Sequence, residues 1–220
     1  MEFKSAYISK RDDVLRLVPQ SAQKVLDIGC STGTLGADIK RRNQAEVVGI
    51  EYDQTMAQVA NQQLDRVIQG DIETIELDRI LQPDYFDCII FADLLEHLRD
   101  PWTVLQRSIQ FLKPDGYVVT SIPNISHITA IADILFRDYW PYRARGIHDR
   151  THLRFFTLTN IQEMFGDAGL TIETVHRNYR LFDRPHRINN VAHLLAWPPL
   201  RNKLTYQYIL SARNTPQVRV

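Results

Sequence analysis

The chain has 220 residues, 44% hydrophobic and 24% charged, and its 26 Lys+Arg balance 26 Asp+Glu to a formal net charge of zero at pH 7. That balance excludes a general polyanion binder, and the length suits one domain able to bury a sizeable core. The zero is a cancellation: residues 1–110 hold 12 Lys+Arg against 18 Asp+Glu and residues 111–220 hold 14 against 8, a split of −6 and +6.

Cys30 and Cys88 sit in apolar stretches without CxxC or Cys/His ligand spacing, which excludes a disulfide framework and a structural zinc site and points to a reducing compartment. Residues 1–13 lack an apolar signal core, and the apolar run 88–98 is broken by Asp93 and Glu96, far short of a membrane span. A soluble, cytoplasmic protein is expected.

Short apolar runs alternate with segments of helical period, the pattern of an α/β sheet whose strands are covered on both faces. The first predicted strand, 24–28, runs into the turn of VLDIGCSTGTLG, residues 25–36. Gly29 and Gly33 let backbone approach a ligand, and the following helix N-terminus offers N–H donors. The spacing G-x-x-x-G-x-x-G fits neither the dinucleotide nor the P-loop signature. Asp27 would repel a pyrophosphate and attract a cation. S-adenosylmethionine, with an ammonium, a sulfonium and an adenosine but no phosphate, is such a ligand. The second strand, 46–50, ends at Glu51, a carboxylate placed to accept both ribose hydroxyls. After the third, 66–69, come Gly70-Asp71-Ile72, with Asp71 read as an acceptor for an adenine amino group and Ile72 as packing on the ring. The fourth, 86–91, delivers Ala92-Asp93-Leu94-Leu95-Glu96-His97 to its carboxyl end, where open α/β sheets bind ligands.

A helix is predicted from Asp100-Pro101, with Trp102, Leu105, Ile109 and Leu112 on one stripe, stopping at the turn signal 113–116 before a fifth strand at 116–121. Residues 122–156 are irregular. A further helix is expected at 159–168, opened by Thr159 and Gln162 in capping-box spacing and closed by Gly169. Strands at 170–177 and 206–212 flank an insertion, 178–205, and are expected to form an antiparallel last pair.

Taken in order, VLDIGCSTGTLG, GIEYD, GDIE, FDCIIFADLLEHLRDP and FLKPDGYVVTSIPN resemble five motifs of the class I S-adenosylmethionine-dependent methyltransferases, over roughly residues 20–177. The resemblance implies a Rossmann-like three-layer α/β sandwich with a seven-stranded, mostly parallel sheet and an antiparallel last strand. It implies one methyltransferase domain over 1–220, with a cofactor half at 1–110 and an acceptor half at 111–220, and S-adenosyl-L-methionine as cofactor. By resemblance, Asp27, Gly29 and Gly33 line the methionyl part with Cys30 and Ser31 beside them. Glu51 takes the ribose, with Tyr52 among the cofactor-binding residues, Asp71 and Ile72 the adenine, and Ala92, Asp93 and Leu94 the floor beside the sulfonium, with His97 at the cofactor edge. Ser31 stands where many members have a glycine. SIPNISH with HDRTHLRFFT, residues 148–157, is similar to a bacterial subgroup associated with cell-surface polysaccharide and small-molecule modification. Asp93, Glu96 and His97 resemble the acidic-acidic-His spacing of metal-dependent quinone-precursor O-methyltransferases; metal-free relatives also carry Glu-His here, and no metal is expected.

Methyl transfer to a hydroxyl needs a base, and His127 and His148, both in the irregular region past the fifth strand, are the catalytic candidates, with His152 behind them. Arg137, Arg143, Arg145, Arg150 and Arg154 against Asp138 and Asp149 suit an anionic small-molecule acceptor. The fourth strand lacks the Asn/Asp-Pro-Pro-aromatic ending of enzymes that methylate nucleic-acid amines, so no nucleic-acid partner is expected. Two other readings stay open: a nucleotide-dependent oxidoreductase and a non-catalytic cofactor-binding regulatory partner.

Overall fold

The computed structural model describes residues 10–183 and 186–215. Seven strands, β1 (Lys24–Ile28), β2 (Glu46–Glu51), β3 (Arg66–Gln69), β4 (Phe86–Ala92), β5 (Leu112–Pro123), β6 (Leu170–Tyr179) and β7 (Thr205–Asn214), form one sheet in the order β3-β2-β1-β4-β5-β7-β6. Strands β1 to β5 pair in parallel, and β7 runs antiparallel to both β5 and β6. Every expected strand is present.

The helices are α1 (Asp12–Leu15), α2 (Thr34–Asn43), α3 (Gln54–Ala60), α4 (Pro101–Ile109), α5 (Ile128–Arg137), α6 (Leu158–Asp167) and α7 (Arg201–Leu204), with 3-10 turns at Leu77–Arg79, Leu95–His97 and Arg187–Leu195. Alternate strand residues feed two cores, as the period-two geometry of strands demands. Leu26, Ile28, Ile89 and Phe91 pack with Val104 and Leu105 of α4 and Ile161 and Phe165 of α6. Val25, Val47, Cys88 and Ile90 pack with Val14 of α1, Leu35 and Ile39 of α2 and Ala60 of α3. Each fully buried aliphatic side chain contributes about 1.5–3 kcal/mol, so both helical layers are held by the sheet. Among the described residues no helix is long and apolar enough to cross a membrane.

The stretch 122–156, expected to be irregular, contains α5, and α4 ends at Ile109, so that Leu112 belongs to β5. Two further boundaries also differ from the sequence expectation. The turn signal 113–116 lies inside β5, where the register passes from Phe86 opposite Leu112 to Cys88 opposite Tyr117, and Asp115 takes φ 64°. The extra residues are absorbed as a bulge, which keeps the ladder to β4 intact. Helix α6 is capped by Thr157 and Asn160, two residues before the expected pair. Thr157 is extended (φ −98°, ψ 170°) and its backbone N–H donates to Asn160 Oδ1 at 3.1 Å, whereas Thr159 falls inside the first turn.

Gly33 is the N-cap of α2 with φ +82°, and a Cβ there would meet Ala60 Cα of α3 at 3.1 Å. The position needs both left-handed backbone and close helix approach. Gly33→Ala is expected to destabilise the fold by about 2 kcal/mol or more, read as a lower urea midpoint; an unchanged midpoint would contradict this role.

Candidate active site

The carboxyl ends of β1, β2 and β4 open into a cavity of about 1400 Å³, closed on its far side by residues 10–13, the 143–152 segment and the start of the insertion. Asp27 reaches this space from inside the sheet, opposite Gly49 and Ile90, and is only 2% exposed. Burial, reinforced by the Glu51 charge, pushes its carboxyl up to about 7. Gly49 has no Cβ because Cys30 Sγ lies 2.6 Å from where one would stand. Gly29 has φ +78°, its N–H donates to Ile50 O at 2.8 Å, and a Cβ there would press on Leu94 at 3.1 Å. Glu51 is held on both oxygens, by Ser31 N at 2.8 Å and Asp53 N at 2.9 Å. A buried carboxylate without an ion-pair partner among the described residues, a fixed carboxylate beside it and a turn without Cβ suit a ligand with an ammonium and vicinal hydroxyls.

Ten residues implied for the cofactor line this cavity: Asp27, Gly29, Cys30, Ser31, Glu51, Tyr52, Ala92, Asp93, Leu94 and His97. Gly33, Asp71 and Ile72 do not. Gly33 serves the α2–α3 contact. After β3 the chain folds back, with Thr74 N and Ile75 N donating to Asp71 O, and this sends Ile72 into the core beside Leu77 and Leu81. Asp71 Oδ1 accepts from Glu73 N at 2.9 Å.

Asp93 leaves β4 with φ 53° and is fully engaged by protein: Ser121 Oγ donates to it at 2.7 Å, Gln207 Nε2 hydrogen-bonds it, and Arg11 pairs with it. Arg11 also pairs with Asp13 at 3.0 Å and donates to Ser121 Oγ at 2.9 Å, which draws the N-terminal segment over the cavity.

The histidines are rearranged relative to expectation. His127 is fully buried, with Nε2–H donating to Arg180 O at 2.8 Å and Nδ1 bonded to Thr129 Oγ1 at 2.8 Å, where it caps α5. His148 is fully buried, with Nδ1–H donating to Asp183 at 3.1 Å and Nε2 3.8 Å from Asp133. Neither lines the cavity, where a base was expected of them; both fasten the loops around it. His97 and His152 do line it, with ring centroids 4.8 Å apart. Burial and the neighbouring His97 lower His152 to about 4, which leaves it neutral at pH 7. His97 Nδ1–H faces Thr151 O at 3.2 Å, leaving Nε2 as the acceptor nitrogen.

Glu96 was missed as a buried group. It is 1% exposed, its Oε2 has no hydrogen-bond partner, and burial with the Asp93 charge pushes its carboxyl well above the usual carboxylate range. Its main-chain oxygen accepts from Leu153 N at 2.8 Å and Arg154 N at 3.0 Å, and this brings His152 to the site. Donor atoms of Glu96, His97 and His152 lie within 4.8 Å of one another and form a set able to hold a divalent ion. Asp93, turned to Arg11, is not part of it.

A family model described as "Methyltransferase domain" matches residues 5–175. The chain is similar to a ubiquinone biosynthesis O-methyltransferase of Neisseria meningitidis serogroup A, 26% identical over 176 residues that cover 76% of this chain and 71% of that one. It is also similar to the Pseudomonas putida F1 enzyme of the same description, 27% identical over 178 residues, covering 79% and 75%. A SAM-dependent methyltransferase structure from Archaeoglobus fulgidus shares the fold, with TM-score 0.64 and 17% identity over 95% of this chain and 96% of that one. With carboxylates at the ends of β1 and β2 and a family match over most of its length, the chain belongs to the methyltransferase-domain family, class I enzymes whose cofactor is S-adenosylmethionine.

Proposed function

We propose that the protein methylates a hydroxyl oxygen of a small, anionic acceptor, as one domain acting in the cytoplasm without a nucleic-acid partner. The observation that carries this reading is that one cavity gathers carboxylates, histidines and arginines. It is lined by Asp27, Glu51 and Asp53, by His97 and His152, and by Arg143, Arg145 and Arg180. Its volume of about 1400 Å³ exceeds the ~300–1,000 Å³ of a single-ligand pocket, which leaves room for an acceptor beside the cofactor. The relatives' description as O-methyltransferases supports oxygen as the atom methylated.

Bound S-adenosylmethionine supplies an electrophilic methyl on a sulfonium. In this reading Asp27 pairs with the ammonium, Glu51 accepts from the ribose hydroxyls, and Gly29 and Leu94 shape the wall along the methionyl chain. His97 Nε2 or neutral His152 takes the acceptor's proton. Holding the acceptor oxygen in line with the methyl group is worth ~7–11 kcal/mol, the larger share of the catalysis. A second reading is favoured by the Glu96, His97 and His152 donor set: these residues would hold a divalent ion whose chemistry is to acidify a bound hydroxyl.

The test is incubation of purified protein with methyl-labelled S-adenosylmethionine and a panel of catechols and hydroxybenzoates, with and without chelator. A methyl ether found by mass spectrometry is the expected product, and loss of turnover with chelator, restored by added divalent metal, selects the second reading. Methylation at nitrogen alone, or cofactor binding with no turnover on any acceptor, would count against oxygen transfer.

A further inference from the structure

We infer that a smaller hollow beside the main cavity is an anion-binding subsite, which receives a carboxylate or phosphate group of the acceptor. This rests on the reading of the main cavity as the methyl-transfer site. The hollow, about 340 Å³, lies between the end of β6 and the Arg187–Leu195 turn and is lined by Arg177, Asn178, Tyr179, Arg180, Asn189 and His193. No carboxylate is among these residues. Asn178 and Arg180 also line the main cavity, so the two spaces adjoin there.

The backbone explains how two arginines come to share the hollow. Arg177 and Arg180 are three apart, and strict alternation would send them to opposite faces of the sheet. The β6–β7 ladder pairs Arg177 with Tyr208 and Asn178 with Gln207, then slips so that Tyr179 faces Thr205. A bulge of this kind re-aims side chains. The residue skipped is Tyr206 of β7, and the Arg177 guanidinium lies 5.9 Å from the Tyr208 ring while that of Arg180 lies 4.1 Å from the Tyr206 ring. Tyr206 is itself held by its hydroxyl, which donates to Asp183 at 3.0 Å.

Neither arginine has an ion-pair partner among the described residues, and Arg177 Nε is buried without any hydrogen bond. Of the other cavity arginines, Arg11 pairs with Asp93 and Asp13, and Arg143 pairs with Asp183. The adjoining acids are engaged elsewhere, Asp13 by Arg11 and Asn178, and Asp183 by Arg143, His148 and Tyr206. Arg177 Nη1 donates to Val175 O at 3.4 Å, and the remaining guanidinium N–H groups suit a carboxylate or phosphate. Asn189 Oδ1, which accepts from Leu181 N and Phe182 N at 3.0 Å each, fixes the turn that closes the hollow.

The experiment titrates the protein, both free and saturated with S-adenosylhomocysteine, with phenyl phosphate, benzoate and neutral benzamide by calorimetry. Saturable one-to-one binding of phenyl phosphate or benzoate and none of benzamide is expected. Arg177→Gln and Arg180→Gln should each weaken it about tenfold while S-adenosylhomocysteine affinity, which also reports folding, stays unchanged. Binding of phenyl phosphate alone assigns a phosphate, and binding of benzoate as well admits a carboxylate. No saturable binding of either anion, or binding that survives in both variants, overturns the subsite. Anion binding lost in the variants of a protein that does not take up S-adenosylhomocysteine upholds the subsite and overturns the methyl-transfer reading instead.

Discussion

Asp27→Asn is expected to weaken S-adenosylmethionine binding by roughly 10- to 100-fold and, at pH 8, to raise the melting temperature of the cofactor-free protein. The two effects have one cause. The carboxylate is buried in β1 beside Glu51 without a cation of its own, so ionising it costs stability, and a cationic ligand removes that cost. Charge-assisted hydrogen bonds to a buried carboxylate are worth about 1.5–3 kcal/mol, which sets the expected loss of affinity. The folded protein holds this proton up to about pH 7, whereas an unfolded aspartate releases it near 3.8. Between those values the native state binds more protons, and stability therefore falls as pH rises. The melting-temperature advantage of the variant should grow from pH 4 to pH 7 and then level off. A variant that binds the cofactor as well as the wild type, or melts below it at pH 8, would remove Asp27 from its assigned place.

The second large effect separates the histidines. The double variant His97→Ala/His152→Ala should lower kcat by about 100-fold or more, the contribution of a positioned base, with its melting temperature little changed. His127→Ala and His148→Ala should do the reverse. Each removes a buried ring hydrogen-bonded to another segment, to Arg180 O for His127 and to Asp183 for His148, and should cost about 2–4 kcal/mol of stability. The folded fraction should keep wild-type kcat. Steady-state kinetics beside thermal melts reads both quantities, and a His127 or His148 variant that melts normally yet loses turnover would restore the expectation drawn from sequence.

The contrast between these histidines shows what local pattern carries. Asp27, Gly29 and Glu51 were legible because each sits at a fixed offset from a strand end, and parallel β1 and β2 bring those ends to one place. The seven strands were legible for the same reason: buried parallel strands read as unbroken apolar runs. Which way a loop histidine points is decided by residues far away in the chain. Arg180, which turns His127 inward, lies 53 residues from it, and Asp183, which does so for His148, lies 35 away. Arg11 reaches Asp93 across 82 positions, and Asn178 reaches Asp13 across 165, with no periodicity to announce either. Glu96 looked like an ordinary polar residue after a strand; it is buried because the chain at 153–154 returns to bond its main-chain oxygen. The −6 and +6 halves share one cavity, which Asp27 and Glu51 line from one half and Arg143, Arg145 and Arg180 from the other.

The most direct test of an Asp27-centred cofactor site is calorimetry of S-adenosylmethionine binding at pH 6 in two buffers of different ionisation enthalpy. The expected result is one ligand per chain with release of close to one proton, because Asp27 is protonated before binding and ionised after it, and no such release from Asp27→Asn. Absence of binding, or binding with the same proton balance in the wild type and Asp27→Asn, would contradict it.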